Sequence, residues 1–428
     1  MADDSYLIRR EMISQYLNPG KDLNTVCGYP NTISASDYAR MYAREGVGAR
    51  VVDIFPEECW AVDPWIYETE DAEETEFEKA LNTLVDEKSI FEMLFIADKI
   101  SGVGAFGVLL LGTNDGGTLN TPLESATELT YIRAIGQDCV TVSREDVDVT
   151  SPRYGLPVEY QLSFLSSNGV GSKSTKSVHY SRVIHIADNR QSSLVLGIPR
   201  MQKVYNRLLD IRKLLSGSAE MFWAGAFPGF SMETAPDIDA GDVDTSAIKE
   251  QMDDYVAGLK RYLATSNVTI KSLAPQVSDP TSHIMAQIKA LCISIGVPYR
   301  IFLGSEEARL AASEDAKAWY KKIAKRQNSY VTHSIIRPFI VRLMEIGVLP
   351  HVDSFTVTWP DLYSPSKEEK AKVGKERTEA LAKYVQGSVD EVCPPMEFLT
   401  IVLGYTNKEA QAIVDASNIY AKESIETI

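Results

Sequence analysis

Gly102 to Gly107 holds the chain's one GxGxxG, the spacing that cradles a dinucleotide pyrophosphate when a strand precedes it and a helix follows. Here the order is reversed: helical periodicity precedes the glycines, and Val108–Leu111 reads as a strand. The glycines are therefore read as a helix stop and a place of close packing. Among the histidines, His179, His185, His283, His333 and His351, there is no HExxH. His179 and His185 would share one face of a strand only if it ran unbroken through both, and no third ligand at comparable spacing completes a metal site. All five read as surface or strand-end residues. His179-Tyr180-Ser181 is a single HxS, whereas a two-histidine phosphoesterase needs two such pairs. Neither a GxSxG nucleophile elbow nor a GxxxxGK[ST] phosphate loop occurs. Adjacent acids, Asp253-Asp254 and Glu306-Glu307, offer oxygens to a divalent ion, but neighbouring side chains usually point apart and are read as solvated. The cysteines (Cys27, Cys59, Cys139, Cys292 and Cys393) are odd in number and lack CxxC spacing, so neither a zinc site nor a disulfide framework is indicated. They suit a reducing cytoplasm. The residues thus imply no catalytic set, no metal and no cofactor.

The elements that would position any chemistry are those of an ordinary globular chain. It has 428 residues, of which 44% are hydrophobic and 24% charged, enough for two or three packed units. Ile100–Gly112, the most apolar stretch, is shorter than the roughly 20 residues of a membrane span, and the N-terminus does not read as a signal peptide. A net charge of −16 argues against gripping nucleic acid through a basic face, though not against surrounding it. Residues up to about 200 read as mixed α and β. A helix over Ser36–Glu45, capped by Ser34 or Ser36, ends at Gly46-Val47-Gly48. The acid run Glu68–Glu78 opens a helix to about Ser101, its carboxylates facing the positive dipole end. Strands follow at Gly104–Leu111, Leu129–Ile135, Cys139–Ser143, Val158–Phe164 and Val183–Ile186, with an exposed hairpin tip at Gly169–Ser177. Val204, Leu208, Ile211, Leu215 and Phe222 set an amphipathic helix over Arg200–Ala224 behind Pro199. An acidic segment, Phe230–Asp254, opens in its second half a helix over Ser246–Leu263, and a strand over Val268–Leu273 follows. Asp279 as N-cap and Pro280 at the first helical position open the next helix, which Gly296 and Pro298 end. A long helix runs from Ser313 to Glu345 with a kink near Pro338, and Lys367–Val385 and Asn407–Ile419 are helical.

The order of parts from Pro199 onward resembles the portal proteins of tailed phages. A helix, an acidic α/β insertion, a second amphipathic helix ending in Ile295-Gly296-Val297-Pro298, then Phe302-Leu303-Gly304, a polar loop and a long helix containing Ile336-Arg337-Pro338 follow the family's sequence of elements. Ser181-Arg182-Val183-Ile184-His185 with Gly197-Ile198-Pro199 is similar to its segment before the first stem helix. Trp359–Lys367 is similar to the stretch after the wing helix. The resemblance implies an α+β fold: an N-terminal arm (1–35), an α/β wing (36–199), a first stem helix (200–224) and a small α/β clip (225–273). A second stem helix (274–298), a tunnel loop region (299–312), a long wing helix with a following strand (313–366) and a helical C-terminal region in the place of a crown (367–428) complete it. It further implies a closed ring of about twelve identical subunits, joined through heterologous interfaces, at the capsid portal vertex, assembled in the host cytoplasm. Double-stranded DNA would pass through without sequence specificity, and the partners would be the terminase large subunit, a head–tail adaptor, and the major capsid and scaffold proteins. Channel candidates are Lys203, Arg207, Lys289, Glu306, Glu307 and Arg309, the last three in a tunnel loop at Gly304–Ala312. Each of the three stem cations has an alternative, a pairing with an acid of the neighbouring subunit. Asp237, Asp239, Asp242, Asp244, Asp253 and Asp254 are candidates to face terminase and adaptor from the clip. The competing readings are a mixed α/β DNA-processing or phosphoesterase enzyme, and a head–tail adaptor or scaffold protein.

Overall fold

The apolar run at the start of the first sheet is buried on both faces, and the surrounding elements follow from that. In the computed structural model the described residues are 23–69, 74–164, 174–226, 230–234, 245–256, 268–272, 279–304, 313–362, 367–386, 393–403, 410–411 and 413–415. Strand β2 (Gly107–Thr113) lies between β3 (Leu129–Gly136) and β7 (Val183–Ile186), antiparallel to both. A second antiparallel sheet has the order β4 (Val140–Glu145), β5 (Pro157–Phe164), β6 (Ser174–His179). Val108 and Leu110 pack into one core with Val140, Tyr160, Leu162 and Val178 of that second sheet. Leu109 and Leu111 are equally buried. Strand alternation sends them to the opposite face, where helix α4 (Ile90–Val103) packs on β2 and β3.

Helix α1 (Ala35–Arg44) is closed by a capping box, Ser34 with Asp37. Gly46-Val47-Gly48 does not end the helical region: Glu45 alone is extended, and α2 (Gly46–Cys59) begins at once. Gly48 has a packing role, since a Cβ there would stand 3.2 Å from Met41 Cγ on α1. The expected helix from the acid run to Ser101 is in fact two. Helix α3 (Glu76–Lys88) starts at a Thr75–Glu78 capping box, and Ser89, at φ 49°, separates it from α4. The reason is phase. Leu81 and Ile90 are both buried, yet they lie about two and a half turns apart at 3.6 residues per turn, so an unbroken helix would bury one and expose the other.

Strand β1 (Trp65–Tyr67) pairs with β10 (Thr356–Thr358), far along the chain. Ser174–Ser177, read as hairpin tip, belongs to β6, because cross-strand pairing with β5 continues to Phe164↔Ser174; residues 165–173 lie outside the described set. The helix behind Pro199 starts later than the sequence suggests: Gln202–Val204 is a 3₁₀ turn and α5 spans Tyr205–Ala226. The acidic segment contributes β8 (Phe230–Thr234) and most of helix α6 (Thr245–Val256), and β9 (Val268–Ser272) beyond it pairs antiparallel with β8. Helix α7 (Thr281–Ile295) has Pro280, not Asp279, at its cap position; the Asp279 carboxylate still accepts the Thr281 N–H at 3.0 Å. Gly296, at φ 66°, ends α7, and the Val297 N–H reaches back to Cys292 O in a Schellman arrangement.

A short helix α8 (Tyr299–Leu303) follows. The long helix is composite: α9 (Ser313–Arg326), a π-helical stretch Gln327–Ile336, and α10 (Arg337–Glu345). The π-helical stretch lies just upstream of Pro338, where a kink was expected. Its wider turn puts Gln327, Val331, Thr332 and Ile336 on one buried side, where Gln327 Nε2 donates to Cys59 O at 2.8 Å and Thr332 accepts Trp359 Nε1–H at 2.9 Å.

The chain divides into two units, Met1–Pro360 and Asp361–Ile428. In the second, α11 (Lys367–Gln386) presents Tyr384, which stacks on Phe398 at 4.0 Å and donates to Cys393 O at 2.6 Å. Most of the expected helix at 407–419 lies outside the described residues. Among the described residues no helix is long and apolar enough to cross a membrane.

Candidate functional site

Four charges are buried together where α4, the turn after β7, the lead-in to α5 and the end of α9 converge. Asp98 is 0% exposed. It accepts Arg326 through both guanidinium nitrogens, at 2.9 and 2.6 Å, Arg200 Nη2–H at 3.0 Å and Trp60 Nε1–H at 3.2 Å. Asp188 Oδ2 accepts Arg200 at 2.8 Å and Arg326 at 3.0 Å. Arg200 also donates to Val52 O at 2.7 Å on α2. Two carboxylates and two guanidiniums balance in charge, which is what makes ions tolerable away from water.

Burial alone would raise the Asp98 pKa, but Arg326 and then Arg200 outweigh it and hold the carboxyl below its ordinary range. Asp188 behaves alike: burial pushes up, Arg200 and Arg326 pull down further, and it settles at about 2. Because both folded values are depressed, the stabilisation is complete above the unfolded carboxylate range near 4 and disappears as pH falls through the folded values. For Asp188 alone this amounts to roughly 2 kcal/mol. Unfolding followed against pH should therefore show a steep loss between about pH 4 and 2, and Asp188→Asn should flatten it.

Of the glycines of the GxGxxG, Gly102 faces this cluster and the other two sit at the end of α4 and the start of β2. A Cβ on Gly102 would stand 2.7 Å from the Arg200 guanidinium, and one on Gly107 3.2 Å from Ser101 N. Gly104 is the C-cap of α4. In sequence terms, the cluster's one visible signal is Asp98, a lone acid on the apolar side of an otherwise hydrophobic helix. The partners that neutralise it are far along the chain and could not be named from spacing.

Above the cluster opens a cleft of about 540 Å³. Among the described residues its cations are Arg190, Arg200, Lys203, Lys322, Lys325 and Arg326, and its one carboxylate is Asp188. Lys203 therefore belongs to this cleft. Arg207 instead bridges the packed pair α5 and α7, donating to Gln287 Oε1 at 3.1 Å. Lys289 is exposed on α7, its ammonium 5.6 Å from the Tyr299 ring centroid. Asp253 is exposed and Asp254 half-buried on α6. Glu306, Glu307 and Arg309, like Asp237, Asp239, Asp242 and Asp244, lie outside the described residues.

The histidine pair is split by the fold, with His179 ending β6 and His185 within β7 of the other sheet. His185 is not a surface residue. Its Nε2 bonds Val195 O at 2.7 Å, it stacks on Phe106, and burial lowers its pKa to about 4. His179 Nδ1 lies 2.8 Å from Ser181 Oγ, which accepts the Leu123 N–H at 2.7 Å. The same Nδ1 accepts the Ser181 N–H at 3.3 Å and so caps the 3₁₀ turn Tyr180–Arg182, and Ser181 is itself buried.

A family model described as phage portal protein matches residues 36–383. Among solved structures, a chain in the neck of an empty GTA particle, computed with C6 symmetry, aligns at 15% identity over 88% of this chain and 95% of that one, with a TM-score of 0.54. A chain in the neck of the native GTA particle, computed with C12 symmetry, aligns at 15% identity over 86% and 94%, TM-score 0.48. An HK97-family phage portal protein from Corynebacterium diphtheriae aligns at 10% identity over 75% and 94%, TM-score 0.37. A search of curated proteins returned no match.

Proposed function

This chain belongs to the phage portal protein family, and on that premise we propose that about twelve identical copies close into a ring at one capsid vertex. The ring is the passage for double-stranded DNA during packaging and ejection. The observation that carries the reading is the outward side of the α5–α7 pair. Leu215 and Phe222 on α5 are 48% and 52% exposed, and Ile293 on α7 is 81% exposed. A pair of helices that keeps large apolar side chains in water is suited to a like pair on a neighbouring subunit.

In this reading α5 and α7 are the stem, and the segment between them, 225–273, is the clip that meets the terminase large subunit and then the head–tail adaptor. The clip's acids, Asp253 and Asp254 among them, speed docking of basic partners at low salt. The net charge of −16 keeps the wall repulsive to moving DNA. Lys289, Arg207 and the polar loop at 305–312 supply transient phosphate contacts. The family is structural, so the ring's work is to contain, align and dock.

Native mass measurement on the purified chain tests this. The expected particle is about twelve times the 47.4 kDa of one chain, formed without nucleotide or DNA. A stable monomer with phosphodiesterase activity would overturn the proposal.

A further inference from the structure

The cleft above the buried ions carries more positive charge than its own residues use. Arg200 and Arg326 are spent on Asp98 and Asp188. Lys322 is accounted for as well: its ammonium donates to Gly296 O at 2.7 Å, at the negative end of α7. Three cations remain at the rim. Arg190 donates its Nε–H to Ala187 O at 3.2 Å and keeps its other donors. The Lys203 and Lys325 side chains line the cleft, are exposed, and make no hydrogen bond or ion pair with the described residues. Like charges gathered around one hollow repel each other, and an anion relieves that repulsion. Asp188, the one acid among the described lining residues, already serves two guanidiniums.

From this we infer that the cleft is a socket for a carboxylate-rich segment of a second copy of this chain. The inference rests on the ring reading above and adds to it a named pair of surfaces. Charge complementarity favours this occupant. The chain has 59 acids against 43 lysines and arginines, and outside the clip its acids are concentrated in Glu68–Glu78, which carries seven with no base. A heterologous ring places one surface of every subunit against a different surface of its neighbour, so one basic hollow per chain is matched by one acidic segment per chain.

The test has two arms on the full-length chain. In the first, K203E/K325E is compared with the unaltered protein across a salt series by light scattering. Both lysines are exposed and outside the core, so circular dichroism and melting should be unchanged. Subunit association is expected to weaken by about tenfold or more, with ring loss near physiological salt of about 0.15 M. In the second, chains with natural and heavy nitrogen are mixed before assembly and treated with a zero-length carbodiimide. Lys203 or Lys325 should form an amide with an aspartate or glutamate of a chain carrying the other isotope.

A monomeric unaltered protein sinks the ring reading itself. An unaltered ring whose K203E/K325E counterpart is equally salt-resistant, or whose two lysines couple only within their own chain, sinks the socket and leaves the ring standing. If the double reversal keeps the ring and abolishes retention of duplex DNA, the cleft serves nucleic acid and the inference is wrong.

Discussion

Asp98→Ala is expected to cost about 3–5 kcal/mol of folding stability, as removal of one partner from a buried ion network does. The alanine leaves Arg200 and Arg326 facing Asp188 alone, and strands the Trp60 N–H that Asp98 accepts at 3.2 Å. The effect spreads because each partner sits on a different element: α4, the turn after β7, the approach to α5, and the end of α9 all lose a fixed point. Equilibrium unfolding by denaturant measures it. Asp98→Asn should fall between, since an amide still accepts from one guanidinium but presents its own N–H groups to the other. A loss below about 1 kcal/mol for the alanine variant would mean that water reaches the cluster and shares its solvation.

Gly102→Ala should destabilise by roughly 2–3 kcal/mol, although alanine is the better helix former. The new methyl would stand 2.7 Å from the Arg200 guanidinium, a group held in place by Asp98, Asp188 and Val52 O. An unrestrained arginine would swing aside at little cost; this one gives up charge-assisted hydrogen bonds to do so. Gly217→Ala supplies the control. It lies inside α5 with nothing within 4 Å of the added atom, so the same change there should stabilise by up to about 1 kcal/mol. Equal and favourable effects at both sites, read from melting curves, would refute the packing role assigned to Gly102.

The sequence by itself determined the elements whose signals are local. The strands at 107–113, 129–136, 157–164 and 183–186 lie within a few residues of their expected places, because alternation and turn residues act over a handful of positions. A cap at Ser34 or Ser36 and the helix end at Gly296 were legible for the same reason, and the structure has Ser34 as the cap and Gly296 in the left-handed region. So was the order of helices from Pro199 onward, which carried the family resemblance.

Other features were decided by partners distant in the chain. Ser89 breaks a helix whose propensity runs on, because Leu81 and Ile90 must both reach the core. β1 finds β10 nearly three hundred residues later, a pairing that no local pattern specifies. Lys203 looked like one more cation on a stem helix. The tertiary structure sets it on a rim with Arg190 and Lys325, above a floor where arginines and aspartates already cancel. Its chemistry follows from that surplus. A charge's neighbours are fixed by packing, and sequence spacing carries no record of them.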